Sequence, residues 1–410
     1  MPPPRPHPLA RSRFAERLDR WLTTLIKRGW FFDPALDPEF LWAKGANGFE
    51  PADEAFARRD ADRADFRERL EHLTASLRSE AQLNALGQVM AYGQIAGAIE
   101  KRHALGALWR KQPGLPETPI APPIIVVGQM RAGTTRMQRL LAADPRHAGT
   151  RFCNAMNPVP PTPDWRPLAS RAGLALARRI NPWLDTLHPF GATRTDEELG
   201  WLASALDACA FEAQYRIPSY VTFNEARDPA PVYREFARIL RTDAALIGDA
   251  ARPRVLKCPQ FAEDLPALLA QFPEARVVVT RRDTDDVLAS TVSMVAAQSA
   301  FQSDVRSLVE IEDHWRGKIA LRERRIDAAL RSLSGPLAEV DFAALNVDRA
   351  GVIAQVYRDL GLDLTEEARG AIEAEAARSS KGPHRAHRRQ LQRFGSEAAG
   401  LQAVAQGERR

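Results

Sequence analysis

The chain has 410 residues, 45% of them hydrophobic and 27% charged, an ordinary composition for one large core or two domains, and no apolar run nears the roughly 18–20 residues of a membrane span. Its net charge of +5 is mostly arginine spread along the chain; this suits an anionic small molecule or a weak polyanion contact and lacks the dense block of a dedicated nucleic-acid binder. Three scattered cysteines, Cys153, Cys209 and Cys258, exclude a disulfide framework and a CxxC metal site, and with no apolar secretion core at the N-terminus they point to a reducing, cytoplasmic setting.

Residues 1–13 begin proline-rich and are expected to be disordered. A helical region follows over 14–120. Its first helix carries Phe14, Leu18, Trp21, Leu22, Leu25 and Ile26 at helical spacing with arginines between. Packing on the core accounts for that stripe; a peripheral membrane or partner-binding helix is the sharper reading. Phe66, Leu70, Leu73 and Leu77 continue the helical period. The stretch "KQPGLPETPIAPP" (111–123) then interrupts the pattern and marks a boundary or a long surface connection.

Beyond it, over 121–395, strands alternate with helices. An unbroken apolar run at 124–127 reads as a central parallel strand, with a helix over 136–143. A proline-rich loop is expected at 157–168, and helices over 168–187 and 196–213. Strands at 254–258 and 275–280 flank one helix and precede another, a long amphipathic helix covers 308–333, and "LAEVDF" is a last strand before a helix from 349. Such alternation implies a parallel sheet flanked by helices on both faces. From 378, "RSSKGPHRAHRRQLQRFG" is basic and loop-like, and a C-terminal tail follows over 396–410.

"VVGQMRAGTTRMQRLL" (126–141) is the segment that carries chemistry. A strand-to-helix turn aims backbone N–H groups and the positive end of the helix dipole at one point. Gly133 lets the backbone approach an anion, Thr134 and Thr135 add hydroxyl donors, and Arg131 adds a permanent cation with a donor fork. The ATP/GTP loop would have lysine after its second glycine; Thr134 stands there instead, so a triphosphate loses its clamp. In "ARVVVTRRDTDDVLAS", Arg282 ends a strand and Ser290 lies on the next helix, so both can face an anion above the carboxyl ends of the sheet. Taken alone, Arg282 beside Asp283 also reads as a surface ion pair.

Together these segments resemble the PAPS-dependent sulfotransferases, specifically the bacterial branch with a helical N-terminal region. "GQMRAGTTRMQRLLAADP" looks like the family's 5′-phosphosulfate loop and "RRDTDDVLAS" like its 3′-phosphate element. "RVLKCPQFAEDLPALLAQFPEARVVV", "AMNPVPP", "DTLHPFGATRTDEEL", "VDFAALNVDRAGVIAQVYRDLGL" and "RFG" resemble the same branch. The resemblance implies a P-loop-NTPase-like α/β fold and 3′-phosphoadenylyl sulfate (PAPS) as co-substrate. It further implies sulfuryl transfer to a hydroxyl or amine on a small-molecule, carbohydrate or lipid acceptor, with adenosine 3′,5′-bisphosphate (PAP) released and no metal. Arg131, Ala132, Gly133, Thr134, Thr135, Lys257, Arg282 and Ser290 would form the donor site, with Arg131 neutralising charge on the transferring group.

The sequence departs from the branch on the acceptor side. Asn154 stands where a glutamate is usual, a possible acceptor base, and "LKCPQF" replaces "LKSPxH", with Cys258 for serine and Phe261 for histidine. Asn154→Glu is expected to move the chain towards family-like activity. His188, upstream of Asp196, Glu197 and Glu198, is the first alternative base and Glu198 the second; the acids also suit the first turn of a helix. Lys257 reads either as a phosphosulfate contact or as a solvated strand end. The basic segment 381–393 reads either as a cover for the 3′-phosphate or as a charged end. Rival functions are a nucleotide kinase or NTPase on the same architecture, disfavoured by the missing lysine, and a catalytically weakened PAP-binding scaffold.

Overall fold

The computed structural model describes residues 5–380. Five strands form one sheet: β1 (Ile124–Gly128), β2 (Ala148–Gly149), β3 (Arg254–Lys257), β4 (Arg276–Arg281) and β5 (Leu337–Asp341). Their order is β2-β3-β1-β4-β5 and every pairing is parallel. β1 is buried along its length. Because strand side chains alternate, Ile125 and Val127 join one core with Leu256, Val277 and Val279. Ile124 and Val126 join the opposite core with Val255, Val278 and Val340. The register sets Lys257 opposite Val126 and Thr280 opposite Gly128. The next strand after β1 in sheet order is β3 on one side and β4 on the other, so the loop leaving β1 lies at the topological switch point, where open α/β sheets bind ligands.

The helices fall largely where the sequence places them: Thr134–Leu141, Arg166–Ile180, Phe261–Gln271, Thr284–Ser299, Leu308–Arg331 and Arg349–Asp359. The single helix expected over 196–213 is instead two short ones, Leu199–Ala203 and Cys209–Glu212. Leu206 adopts φ 57° between them, which ends a right-handed helix, and Asp207 Oδ1 accepts the Cys209 N–H at 3.0 Å. Helices Pro218–Ala226 and Ala230–Ile247 stand where no element is expected, each with proline in its first turn. β2 was likewise not expected, since two residues are too few to show a period.

The N-terminal helices Arg13–Lys27, Pro38–Gly45, Pro51–Ala55, Asp60–Ser79 and Ala85–Lys111 do not form a body of their own. Leu105 and Trp109 lie in the sheet's core beside Ile125 and Val127. Phe66, Leu70, Leu73 and Ile95 share a second core with Leu206, Phe211 and Tyr220. Arg58 is buried against Glu235 at 2.6 Å and stacks over Trp109. Burial pushes the Glu235 carboxyl up, but Arg58 and Arg102 more than offset it and hold it at about 2. The proline-rich connection packs Leu115 and Ile120 on the same core and hydrogen-bonds Ala121 to Ala250. It is a surface connection that anchors a few of its residues on the core while residues 111–114, 117 and 119 stay exposed.

The disorder expected over 1–13 does not hold for residues 5–13. Arg5 is buried, donating to the Ser293 carbonyl at 3.2 Å and to its Oγ at 2.5 Å. Arg11 holds Asp304 at 2.6 Å. Arg5 pins this arm to the helix Thr284–Ser299, and the half-buried Arg11 pins it to the turn that follows. Residues 1–4 and the basic segment 381–393, with the tail after it, lie outside the described residues.

Candidate active site

The turn after β1 is built from residues in unusual conformations. Gly128 has φ 154° and Gly133 φ 88°, and a Cβ on Gly133 would lie 2.2 Å from the Phe342 ring. Between them Arg131 adopts φ 72°, uncommon for a residue with a side chain and characteristic of functional loops. Ala132 N–H closes the turn on the Gln129 carbonyl at 3.0 Å. The helix Thr134–Leu141 begins at Gly133 with no side-chain cap, so its first N–H groups face the site without a competing acceptor.

Arg131 brings together two of the sequence-predicted donor residues, Ser290 and Arg282. Its Nε donates to Ser290 Oγ at 3.0 Å and one terminal nitrogen to the Leu187 carbonyl at 2.6 Å. Arg282 donates to the Arg131 carbonyl at 3.0 Å, pairs with Asp286 at 2.9 Å and lies over the Phe342 ring. Burial, and then the neighbouring Arg282, push the Arg131 guanidinium down to about 10. It stays charged at neutral pH, and a bound anion would relieve both costs. Two arginines, a serine hydroxyl and a helix N-terminus converging at a switch point suit a phosphate or sulfate ester. Ala132 and Thr134 are buried in the loop, while Gly133 and Thr135 are half-exposed.

Lys257 ends β3 as expected, but it is buried and its Nζ is paired with Glu197 Oε2. In this state that carboxylate holds it. Glu198 is fully buried and accepts the Lys257 backbone N–H at 2.9 Å. Burial pushes its carboxyl up to about 8, so at neutral pH it is mostly protonated and poorly suited to accept a proton. This weakens its claim as a base.

His188 is better placed. It follows Leu187, whose carbonyl Arg131 holds, and its ring stands 4.3 Å from that of Phe190. Its Nε2 lies 2.8 and 3.1 Å from the two oxygens of Asp196. The buried Asp196 is also paired with Arg139 at 3.3 Å. Burial pushes Asp196 up, but His188 and Arg139 more than offset it and keep the carboxyl below its usual range. An ionised acceptor at Nε2 selects the tautomer with its proton there, leaving Nδ1 as a lone pair. Nδ1 bonds to no described residue. This is a histidine–carboxylate dyad, an arrangement chemically able to accept a proton at Nδ1.

The sequence suggests no metal cluster, yet ligand-type atoms of His188, Asp196 and Glu197 lie within 4.8 Å of one another. Each is already engaged, His188 with Asp196 and Glu197 with Lys257, which reads as a dyad beside an ion pair.

Asn154 and Phe261 take structural places. Asn154 is fully buried and donates to Asp243 Oδ1 at 2.6 Å, while Asp243 is paired with Arg254 at 2.5 Å. A glutamate there would set a second carboxylate against Asp243, so gain of activity from Asn154→Glu is no longer expected. Phe261 is a core residue whose ring packs edge-on against Phe236 at 5.6 Å. Sequence reasoning missed the Leu187 carbonyl and Arg139. A backbone carbonyl carries no sequence signal, and Arg139 is recognisable only once the helix after the loop turns it towards Asp196.

No curated protein matches the chain. Among solved structures, sulfotransferase STF1 from Mycobacterium tuberculosis H37Rv is similar at TM-score 0.71 and 29% identity, over 83% of this chain and 93% of that one. Sulfotransferase STF9 from Mycobacterium avium shares the fold at TM-score 0.73 and 18% identity, over 85% of this chain and 89% of that one. The sequence profile of the sulfotransferase family matches residues 122–366, which span the whole sheet, the Arg131 loop, His188 and Ser290. This chain belongs to the sulfotransferase family.

Proposed function

We propose that the protein moves a sulfuryl group from PAPS to a hydroxyl or amine of a small-molecule, carbohydrate or lipid acceptor in the cytoplasm, releasing PAP, with no metal required. The observation that carries this reading is the convergence of Arg131, Arg282 and Ser290 on the uncapped helix start at Gly133. Those groups suit a donor with anionic groups at two positions better than a triphosphate. Arg131 and the N–H groups after Gly133 face the 5′-phosphosulfate and stabilise charge as the bond from sulfur to the phosphate oxygen breaks. Arg282 and Ser290 hold the 3′-phosphate. Lys257 sits at the edge of the donor site and contacts the leaving phosphate only by exchanging Glu197 for it. His188 Nδ1 takes the proton of the acceptor as its oxygen or nitrogen bonds to sulfur, and Asp196 stabilises the resulting imidazolium.

The deciding experiment is PAP release from labelled PAPS against a panel of carbohydrate, lipid, phenolic and peptide acceptors, with ATP and PAP binding measured in parallel. Acceptor-dependent PAP release supports the reading. Tight ATP binding with no PAP binding would move the chain to the kinase-like reading. PAP binding with no turnover on any acceptor would leave it a nucleotide-binding scaffold.

A further inference from the structure

Helix Arg13–Lys27 divides its apolar residues between two destinations. Ala15 and Leu22 are buried, in a cluster with Leu86 that half-buried Met90 and Ile180 flank. Phe14 and Trp21, seven residues apart and therefore on one helical face, remain 37% and 58% exposed. The apolar surface continues beyond the helix. Trp30 folds back to hydrogen-bond the Leu25 carbonyl yet stays 72% exposed, and Phe32 stays 48% exposed. Helix Arg166–Ile180 meets this surface at its C-terminal end. Ser12 Oγ donates to the Ile180 carbonyl at 2.7 Å, and the Arg179 guanidinium lies over the Phe14 ring. Leu168 and Leu176, on the Arg179 side of that helix, are also exposed.

The charges around this surface are one-sided. Arg13, Arg17, Arg20, Lys27 and Arg28 are exposed on the first segment, and Arg171 and Arg179 on the second. Between residues 13 and 33 the exposed acids are Glu16 and Asp33; Asp19 is half-buried and accepts the Leu86 N–H. Between residues 165 and 184 the sequence has no acid at all. Scattered exposed apolar residues are normal on a soluble protein, but large aromatic residues on adjoining segments bordered by cations are the composition of an interfacial surface.

We infer that this face docks on a lipid bilayer carrying anionic headgroups. Phe14, Trp21, Trp30 and Phe32 enter the boundary between headgroup and acyl chain, and the surrounding arginines meet phosphates. Charge complementarity selects this occupant. A second copy of the same face would oppose arginines to arginines, which electrostatic complementarity disfavours. The inference concerns where the protein sits and holds whatever the acceptor is.

The test is flotation of the full chain with vesicles of phosphatidylcholine containing about one-quarter phosphatidylglycerol, against pure phosphatidylcholine. The protein is expected to float with the anionic vesicles and to lose binding as salt rises. Arg17→Glu with Arg20→Glu should weaken vesicle binding by at least about 30-fold. Trp21→Ser with Trp30→Ser should weaken it as well, and both variants should melt within a few degrees of the parent because all four side chains are exposed. Failure of the parent to float, or equal flotation of all variants, overturns the inference. So does a concentration-dependent dimer in light scattering that Trp21→Ser abolishes while no vesicle binds, which would assign the face to a second copy.

Discussion

A single guanidinium, that of Arg131, joins the proposed donor site to the proposed acceptor base. It reaches Ser290 on one side and the Leu187 carbonyl next to His188 on the other, while Arg282 is tethered to its backbone. Separating these roles needs two measurements. Arg131→Ala should lower turnover by roughly 10²–10³-fold with a smaller effect on PAP affinity; near-normal turnover would remove it from the transfer step. Arg282→Ala should weaken PAP by roughly 10–150-fold and leave adenosine 5′-monophosphate almost unchanged; calorimetry with equal losses for both nucleotides would detach Arg282 from the 3′-phosphate. On the acceptor side, His188→Ala should cost roughly 10²–10⁴-fold in turnover with PAP affinity preserved. Asp196→Asn should lower the rate in the same direction, because an amide no longer fixes the proton on Nε2. A His188→Ala enzyme at full rate would hand the base to another group or to the acceptor itself. The proposed donor residues were legible in the sequence because a strand, a glycine turn and a helix start lie within a few positions. The dyad was only half legible: His188 and Asp196 are eight residues apart on irregular backbone, and no periodicity says that they meet.

At the scale of elements, the loop and the short helix Phe342–Val347 after β5 are fitted together at Gly133. Alanine there would meet the Phe342 ring at 2.2 Å with φ at 88°, and Phe342 supports Arg282 from below. Gly133→Ala should therefore destabilise the fold by about 1–2 kcal/mol from backbone strain alone and weaken PAP through a displaced Arg282. Adding Phe342→Ala should remove the clash but not the strain, so stability stays low. Calorimetric melting and PAP titration of both variants check this, and a single variant that melts and binds like the parent would show that the fit is loose. The parallel sheet was readable because its buried strands are short apolar runs between helical periods. The broken 196–213 segment was not, because a helical period survives in its sequence while Leu206 turns the chain through a left-handed conformation. The proline-rich connection was legible as a break in the helical pattern, but its packing was not, because prolines exclude helix without excluding contact with the core.

Across the whole molecule, buried ionisable groups tie stability to pH. Glu198 keeps its proton to about pH 8 when folded, whereas an unfolded glutamate loses it near 4.3. The folded state therefore binds more protons between those values, and stability present below about 4.3 is lost progressively as pH rises towards 8. Asp264, pushed up to about 7 by burial and then by Asp207, acts in the same direction. Glu198→Gln should flatten the fall in melting temperature between about pH 5 and 8, and an unaltered slope would mean that Glu198 titrates normally. The clamp between Arg5 and Ser293 has a different consequence, one of timing. The two residues are separated by 288 positions, so the arm cannot dock until the segment around Ser293 has been translated. At about 5–20 residues per second, the ribosome needs roughly 15–60 s to cover that distance. The first helix is covered earlier, by Leu86, Met90 and Ile180, so it is the arm before it that waits, and the helix that presents Ser290 gains this support from a segment made long before it. Docking of the arm is thus a late step of co-translational folding, placed after the first helix has found its partners.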